Sequence, residues 1–268
     1  MLNYINKIDK KIFIYIYKMK DPKVCVIIAT YFRKDGSTKN LLSRALRNLE
    51  GQTYKNFKLF VIGDHYDDNE EFEEICKTYK NNIFYKNNEE HYRCYDFPNK
   101  TTYWTIGGTL ALKTGIEKAI EEKFDFYFHL DDDDEWRDIH IQLVVDHIKK
   151  FPFSQFILTR AKYTNIFLPQ TTQTKIFYNN YIPIGCDSVH ASHIYSLPLL
   201  GNVVLDIINQ NHIMANKINN KEICDADIPP TDATILNKIN SMVTTKKIKS
   251  LYIPVITVNK VTDQNFPV

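Results

Sequence analysis

Four consecutive aspartates, Asp131-Asp132-Asp133-Asp134, follow the apolar, aromatic run Phe126-Tyr127-Phe128-His129-Leu130 and lead into Glu135-Trp136. Neighbouring carboxylates repel and raise one another's pKa, so the crowding lends a fold no stability. The economical reason for it is a cation. Oxygen ligands of this kind suit Mg²⁺ or Mn²⁺, ions that commonly bridge protein carboxylates to the phosphates of a substrate. A plainer reading stands beside this one, because a charge run is most often a solvated loop. A calcium hand is disfavoured, since its loop requires glycine at the sixth position, where Trp136 stands.

Further polar residues follow apolar runs in the same way. Val24-Cys25-Val26-Ile27-Ile28-Ala29 reads as a strand buried on both faces, and Thr30, Tyr31 and Arg33 come directly after it. Phe57 to Ile62 reads as a second strand, closing with Gly63-Asp64. Leu41, Leu42, Ala45, Leu46 and Leu49 make Asn40 to Glu50 an amphipathic helix. The acidic segment from Asp67 opens another helix, and Ile83-Phe84-Tyr85 forms a short strand. Gly107-Gly108 starts a helix running to about Glu122, just before the strand that leads to the aspartates. Strands alternating with helices predict a mainly parallel α/β sheet covered by helices, in which ligands sit beyond the carboxyl ends of the strands. Thr30, Asp64 and the Asp131 cluster all fall at such ends.

The second half is more mixed. A helix over Ile141–Ile148, a strand at Phe156-Ile157-Leu158, a helix over Val203–Ile218 and a strand from Tyr252 to Val258 are expected. His190 and His193 lie in a stretch of short β-like runs, where Tyr163, Phe177, Tyr178 and Tyr181 offer ring faces for stacking but are more often core. Either histidine could complete a metal shell or meet a substrate, and an ordinary hydrogen-bonded role is the commoner one. Thr231 or Asp232 is placed to cap a helix starting at Ala233.

The 268 residues, 44% hydrophobic and 13% aromatic, are enough for a substantial core. A net charge of +2 with dispersed lysines speaks against a nucleic-acid partner held by bulk electrostatics. Cys25, Cys76, Cys94, Cys186 and Cys224 are odd in number and form no CxxC pair, which fits a reducing, cytoplasmic setting better than a disulfide framework. Ile12 to Tyr17 is too short to span a bilayer, so no transmembrane segment is expected there; its basic flanks allow shallow, peripheral membrane contact. Asn99-Lys100-Thr101 fits a glycosylation acceptor, which carries little weight without an export signal.

Together these motifs resemble family 2 glycosyltransferases. Val24 to Tyr31 resembles the opening VSVIIPTYNR strand, and Leu42 to Tyr54 the helix ending in Q-T-Y. Val61-Ile62-Gly63-Asp64 is similar to the segment that meets the nucleoside, and Ala111 to Ile116 to the A-R-N-x-G-I helix. Leu130 to Trp136 is close to L-D-x-D-D-x-W, a form of the DxD motif. The resemblance implies a GT-A fold with a smaller, mixed acceptor-side portion, a nucleotide-sugar donor and a divalent cation. The whole of 1–268 would be one domain, with 22–150 binding the donor and 151–268 facing a carbohydrate, protein or lipid acceptor.

By position, Thr30 and Tyr31 would line the base and ribose pocket, and Asp64 would bond the nucleoside. Asp131 and Asp133 would be the DxD pair, with Asp132 on the donor side and Asp134 in support. The family arginine is Leu112 here, leaving Lys113 or Arg33 to meet the donor in its place. The resemblance puts the base for an inverting transfer at a helix start after the acceptor loop, which favours Asp232, with Asp227 and Asp225 as rivals. Two other readings share these residues: nucleotidyl transfer, disfavoured by the lack of a glycine-rich phosphate loop, and a binding module without turnover.

Overall fold

The computed structural model describes residues 21–91, 106–170, 175–178, 188–220 and 230–260. Strand β1 (Val24–Thr30) sets the plan. Its side chains alternate between two cores, Val24, Val26 and Ile28 in one, Cys25 and Ile27 in the other, as the period of two requires. A strand apolar on both faces has to be covered on both. Helix α1 (Thr38–Glu50) lays Leu42, Ala45, Leu46 and Leu49 on the first face. On the second face lies α3 (Thr109–Glu121), with Ala111, Leu112, Ile116 and Ala119 turned inward. Here α3 comes so near the sheet that a Cβ on Gly115 would sit 2.6 Å from Ile27 Cγ2, which accounts for the glycine.

Between these helices come β2 (Phe57–Gly63), α2 (Asn69–Lys77) and β3 (Ile83–Asn87). The acidic segment opens α2 as expected, with the Asp68 carboxylate accepting from the Glu71 amide. After α3 the chain runs through β4 (Phe126–His129), β5 (Asp134–Trp136), α4 (His140–Lys150), β6 (Phe156–Tyr163), β7 (Ile166–Leu168) and β8 (Phe177–Tyr178). It ends with β9 (His193–Ser196), α5 (Leu197–Asn219), α6 (Thr231–Thr244) and β10 (Ser250–Lys260). Among the described residues the strands form one 10-stranded sheet in the order β3-β2-β1-β4-β9-β6-β10-β5, with β7 on β6 and β8 on β10.

Strands β1 to β4, β6 and β10 point the same way, while β5, β7, β8 and β9 run against them. The α/β sheet with helices on both faces is thus the expected one, apart from an antiparallel β9 wedged between β4 and β6. Because β2, β1 and β4 are parallel neighbours, Thr30, Asp64 and the aspartates share one rim. The carboxyl end of β10 belongs to the same rim, since β10 runs with β6.

Two boundaries differ from expectation. Helix α5 begins at Leu197, with Pro198 in its first turn, where a missing N–H costs nothing. Helix α6 begins at Thr231 with Pro230 at the cap position, so neither Thr231 nor Asp232 is its N-cap. Cys25 and Cys76 are buried as free thiols. Among the described residues no helix is long and apolar enough to cross a membrane. Ile12 to Tyr17, Asn99 to Thr101, Tyr181, Cys94, Cys186, Cys224, Asp225 and Asp227 lie outside the described residues.

Candidate active site

The aspartate run divides between two tasks. Asp132 is buried and turned into the protein. Its two oxygens accept from Arg33 Nη1 and Nη2 at 2.8 and 2.7 Å, and one of them also accepts from Thr30 Oγ1 at 2.5 Å. With its only hydrogen donated to Asp132, the Thr30 hydroxyl accepts from the Tyr66 hydroxyl at 2.6 Å. The Arg33 guanidinium also lies 4.1 Å from the centre of the Tyr31 ring. These contacts weld the loop after β1 to the loop after β4. Arg33 and Asp132, read from sequence as facing the donor, therefore spend their charges on each other.

Asp131, Asp133 and Asp134 form the other group. They offer one oxygen each, all within 4.8 Å of one another. Their backbone is held from several sides. Asn48 on α1 bonds both the carbonyl and the amide of Trp136, at 2.6 and 2.9 Å. Arg44 donates to the Asp133 carbonyl at 2.9 Å, and the Trp136 indole N–H donates to the Ala191 carbonyl at 2.9 Å. Strand β5 is pinned to β10 by the pairing of Asp134 with Lys260. That pairing buries Asp134 completely.

The ammonium of Lys260 sits among the three carboxylates, 3.7 Å from Asp131 Oδ2, 3.6 Å from Asp133 Oδ1 and 3.3 Å from Asp134 Oδ1. Burial alone would discharge this lysine, but the carboxylates keep its pKa above the ordinary value. Burial would likewise raise Asp131, and His129 with Lys260 holds it well below the usual carboxylate range instead. Asp133 and Asp134 are pushed up, first by loss of water and then by their acidic neighbours. A cluster that draws a cation out of solvent into its centre, from hard oxygen donors only, fits Mg²⁺ or Mn²⁺.

His129 Nε2 lies 2.8 Å from Asp131 Oδ1, and the His129 ring stacks on His190, centroids 3.8 Å apart. His190 thus joins the cluster through His129, with burial holding it well below its usual pKa. His193 has both ring nitrogens engaged, by Ser188 at 2.8 Å and Tyr195 at 3.0 Å, and burial lowers its pKa to about 3. It is a neutral, satisfied core histidine.

Asp64 is buried at the end of β2, where one oxygen accepts from the Gly108 amide at 3.2 Å. Gly108 has φ 73°, a left-handed turn that aims its N–H back at the rim. Lys113 donates to Asn209 on α5 at 3.0 Å, and no described contact joins it to the aspartates. Asp232 is exposed in the first turn of α6 and accepts from the Ala233 amide at 2.8 Å. Loss of water to the surrounding protein pushes its carboxyl up, with the charge of Asp131 adding to the rise and that of His129 opposing it.

Sequence reasoning missed His129, Tyr66 and Lys260. His129 had a signal, since a period of two puts it on the face of Asp131. Lys260 had none, because only the sheet order brings β10 to β5.

Known proteins give this arrangement a context. Residues 25–195 match the family model described as Glycosyl transferase family 2. An uncharacterized glycosyltransferase of Acanthamoeba polyphaga mimivirus is 31% identical over 176 residues, or 63% of this chain and 71% of that protein. TarS of S. aureus, over its residues 1–349 in complex with UDP, superposes with a TM-score of 0.58 at 16% identity, covering 88% of this chain and 60% of that one. The same protein in complex with UDP-GlcNAc gives 0.56 at 14% identity, over 91% and 60%. Mannosyltransferase PcManGT from Pyrobaculum calidifontis, in complex with GDP-Man and Mn²⁺, gives 0.54 at 13% identity, over 92% and 59%. The chain therefore spans about 60% of the length of these solved chains.

Likeness at such identity speaks for the fold, and the fold is GT-A. Fold and matched family together define a glycosyltransferase. More narrowly, the chain belongs to glycosyl transferase family 2.

Proposed function

We propose that the protein is a metal-dependent, inverting glycosyltransferase that moves a sugar from a nucleotide-sugar donor, a UDP-sugar, to an acceptor hydroxyl. The observation that carries this reading is the trio Asp131, Asp133 and Asp134, with its oxygens within 4.8 Å of one another on the rim where parallel strands end. These three would hold Mn²⁺ or Mg²⁺, which when bound offsets negative charge on the departing diphosphate. The complexes of TarS with UDP and UDP-GlcNAc, and of PcManGT with GDP-Man and Mn²⁺, support a nucleoside diphosphate donor.

In this reading residues 1–268 act as one domain, with 22–150 supplying the donor side. Asp64 accepts a hydrogen bond from the base, uracil, while the half-exposed Tyr31 ring meets the nucleoside. The Arg33–Asp132 pair and Thr30 hold Tyr31 and the aspartates at a fixed separation. Lys113 stays a more distant donor-side candidate. Residues 151–268 form the acceptor side. There Asp232, in the first turn of α6, takes the proton from the acceptor hydroxyl as that oxygen attacks the anomeric carbon. His190 backs the cluster through His129. The acceptor is a carbohydrate, protein or lipid hydroxyl.

A panel of UDP- and GDP-sugars, each with and without Mn²⁺, tests the proposal by sugar transfer or donor hydrolysis, with NMR of the product reading the anomeric configuration. Mn²⁺-dependent turnover of a UDP-sugar with inversion is expected. Turnover unaffected by chelation, or retention in the product, would overturn it.

A further inference from the structure

Lys260 belongs to no motif in the sequence, yet its ammonium lies among the three carboxylates that the proposed function assigns to a cation. Its distances of 3.3, 3.6 and 3.7 Å to one oxygen of each aspartate all exceed the 2.7–2.9 Å of a charge-assisted hydrogen bond. A hydrogen bond to Asp134 Oδ2, long at 3.5 Å, ties it to the cage, so Lys260 is held by the field of three carboxylates more than by any one partner. The fully buried Asp134 is the telling member. Its Oδ1 accepts no hydrogen bond, and Lys260 is the cation it faces. A carboxylate oxygen kept from water in this way is built to face a cation.

One cage cannot hold both charges. Mg²⁺ or Mn²⁺ on oxygen ligands sits about 2.0–2.2 Å from them, inside the space that the ammonium now fills. The backbone of Lys260 is fixed by pairing with Asp134 on one side and Tyr163 on the other. Its four-carbon stem is flexible, so the side chain can withdraw while the strand stays put.

We propose that Lys260 is an exchangeable counter-cation: it neutralises the Asp131–Asp133–Asp134 cage in the metal-free protein and is expelled when a divalent ion enters. The proposal rests on reading the trio as a cation site. Lys260 is then a residue that sets metal affinity, keeping the cage from holding an ion tightly and holding three carboxylates together until one arrives. The expelled ammonium remains tethered at the rim.

The test uses Mn²⁺ alone, with no nucleotide. Free Mn²⁺ is measured by electron paramagnetic resonance during titration of the wild type, Lys260→Gln and Lys260→Arg. Removing the competing charge should tighten Mn²⁺ binding by tenfold or more in Lys260→Gln, while Lys260→Arg stays near wild type. Equal or weaker binding by folded Lys260→Gln overturns the exchange and leaves the cation site standing. No Mn²⁺ binding by any of the three overturns both. A second measurement needs no variant: acetylation of Lys260 in the wild-type protein, quantified by mass spectrometry, should rise several-fold as Mn²⁺ saturates the site. Constant labelling across a saturating titration also overturns the exchange.

Discussion

The guanidinium of Arg33 grips the carboxylate of Asp132 through two bonds, at 2.7 and 2.8 Å, and both side chains are buried. The pair joins segments 99 residues apart in the chain. Breaking such a pair from one side leaves a charge without its partner in a dry place, at a cost of about 3–5 kcal/mol. Asp132→Ala should lower the unfolding free energy by that amount in chemical denaturation. Arg33→Met combined with Asp132→Leu should recover most of it. A single variant as stable as wild type would show that solvent reaches the pair.

Asp133 sits in the cluster at a raised pKa, caused by burial and then by its acidic neighbours. Removing it relieves repulsion and takes a proposed ligand from the cluster. Asp133→Ala should keep the metal-free melting temperature at or above that of wild type. It should also lose the extra stabilisation that Mn²⁺ with UDP confers on the native state by mass action. A folded variant with the full Mn²⁺ response would remove this carboxylate from the site.

Asp64 closes β2 on the shared rim and also braces the Gly108 amide. Asp64→Ala should weaken UDP binding by about 1–3 kcal/mol, the range for losing a hydrogen bond to a charged group. Titration calorimetry reads this directly, and an unchanged dissociation constant would leave Asp64 as a brace for α3 alone.

The proposed base gives a prediction in pH. The Asp232 carboxyl is held above its ordinary value, mainly by loss of water. It therefore stays protonated to a higher pH than a free aspartate does. Because a base works only when deprotonated, kcat/KM should rise with pH through that raised pKa and then level. Asp232→Asn should abolish this limb and reduce kcat by roughly 10²-fold or more. Donor affinity should be kept, since the proposed function assigns the nucleoside and the cation to other residues. A variant within a few-fold of wild-type turnover would place the base at another residue.

The sequence carried the parallel half of the fold because that half is written locally. Alternation in β1, helical spacing in α1 and the abrupt change from Leu130 to Asp131 each declare themselves within a few residues. The inner structure of the aspartate run was not legible. Asp132 is the same residue type as its neighbours in the run, and its partner Arg33 lies 99 residues away in the chain. Asp134 is buried by a strand more than 120 residues later, and the same pairing delivers Lys260. Strand β9 escaped notice as a sheet member for a similar reason. Its four residues, His193–Ser196, are half polar, and their burial comes from β4 and β6 on either side.

Strand β10 follows every other strand of the sheet in the chain, yet it lies between β6 and β5. A chain folding as it is made must hold that slot open until β10 arrives. Until then Asp134 has no lysine opposite it, and β5 has no described strand to pair with. The rim's most crowded charges are thus left unbalanced until β10 has been made, and one long-range insertion settles them. Such distant pairings are slow because loop closure precedes any gain from contact. Completion of the carboxylate cluster and closure of the sheet are therefore a single event: until β10 is in place, Asp134 lacks the strand that buries it.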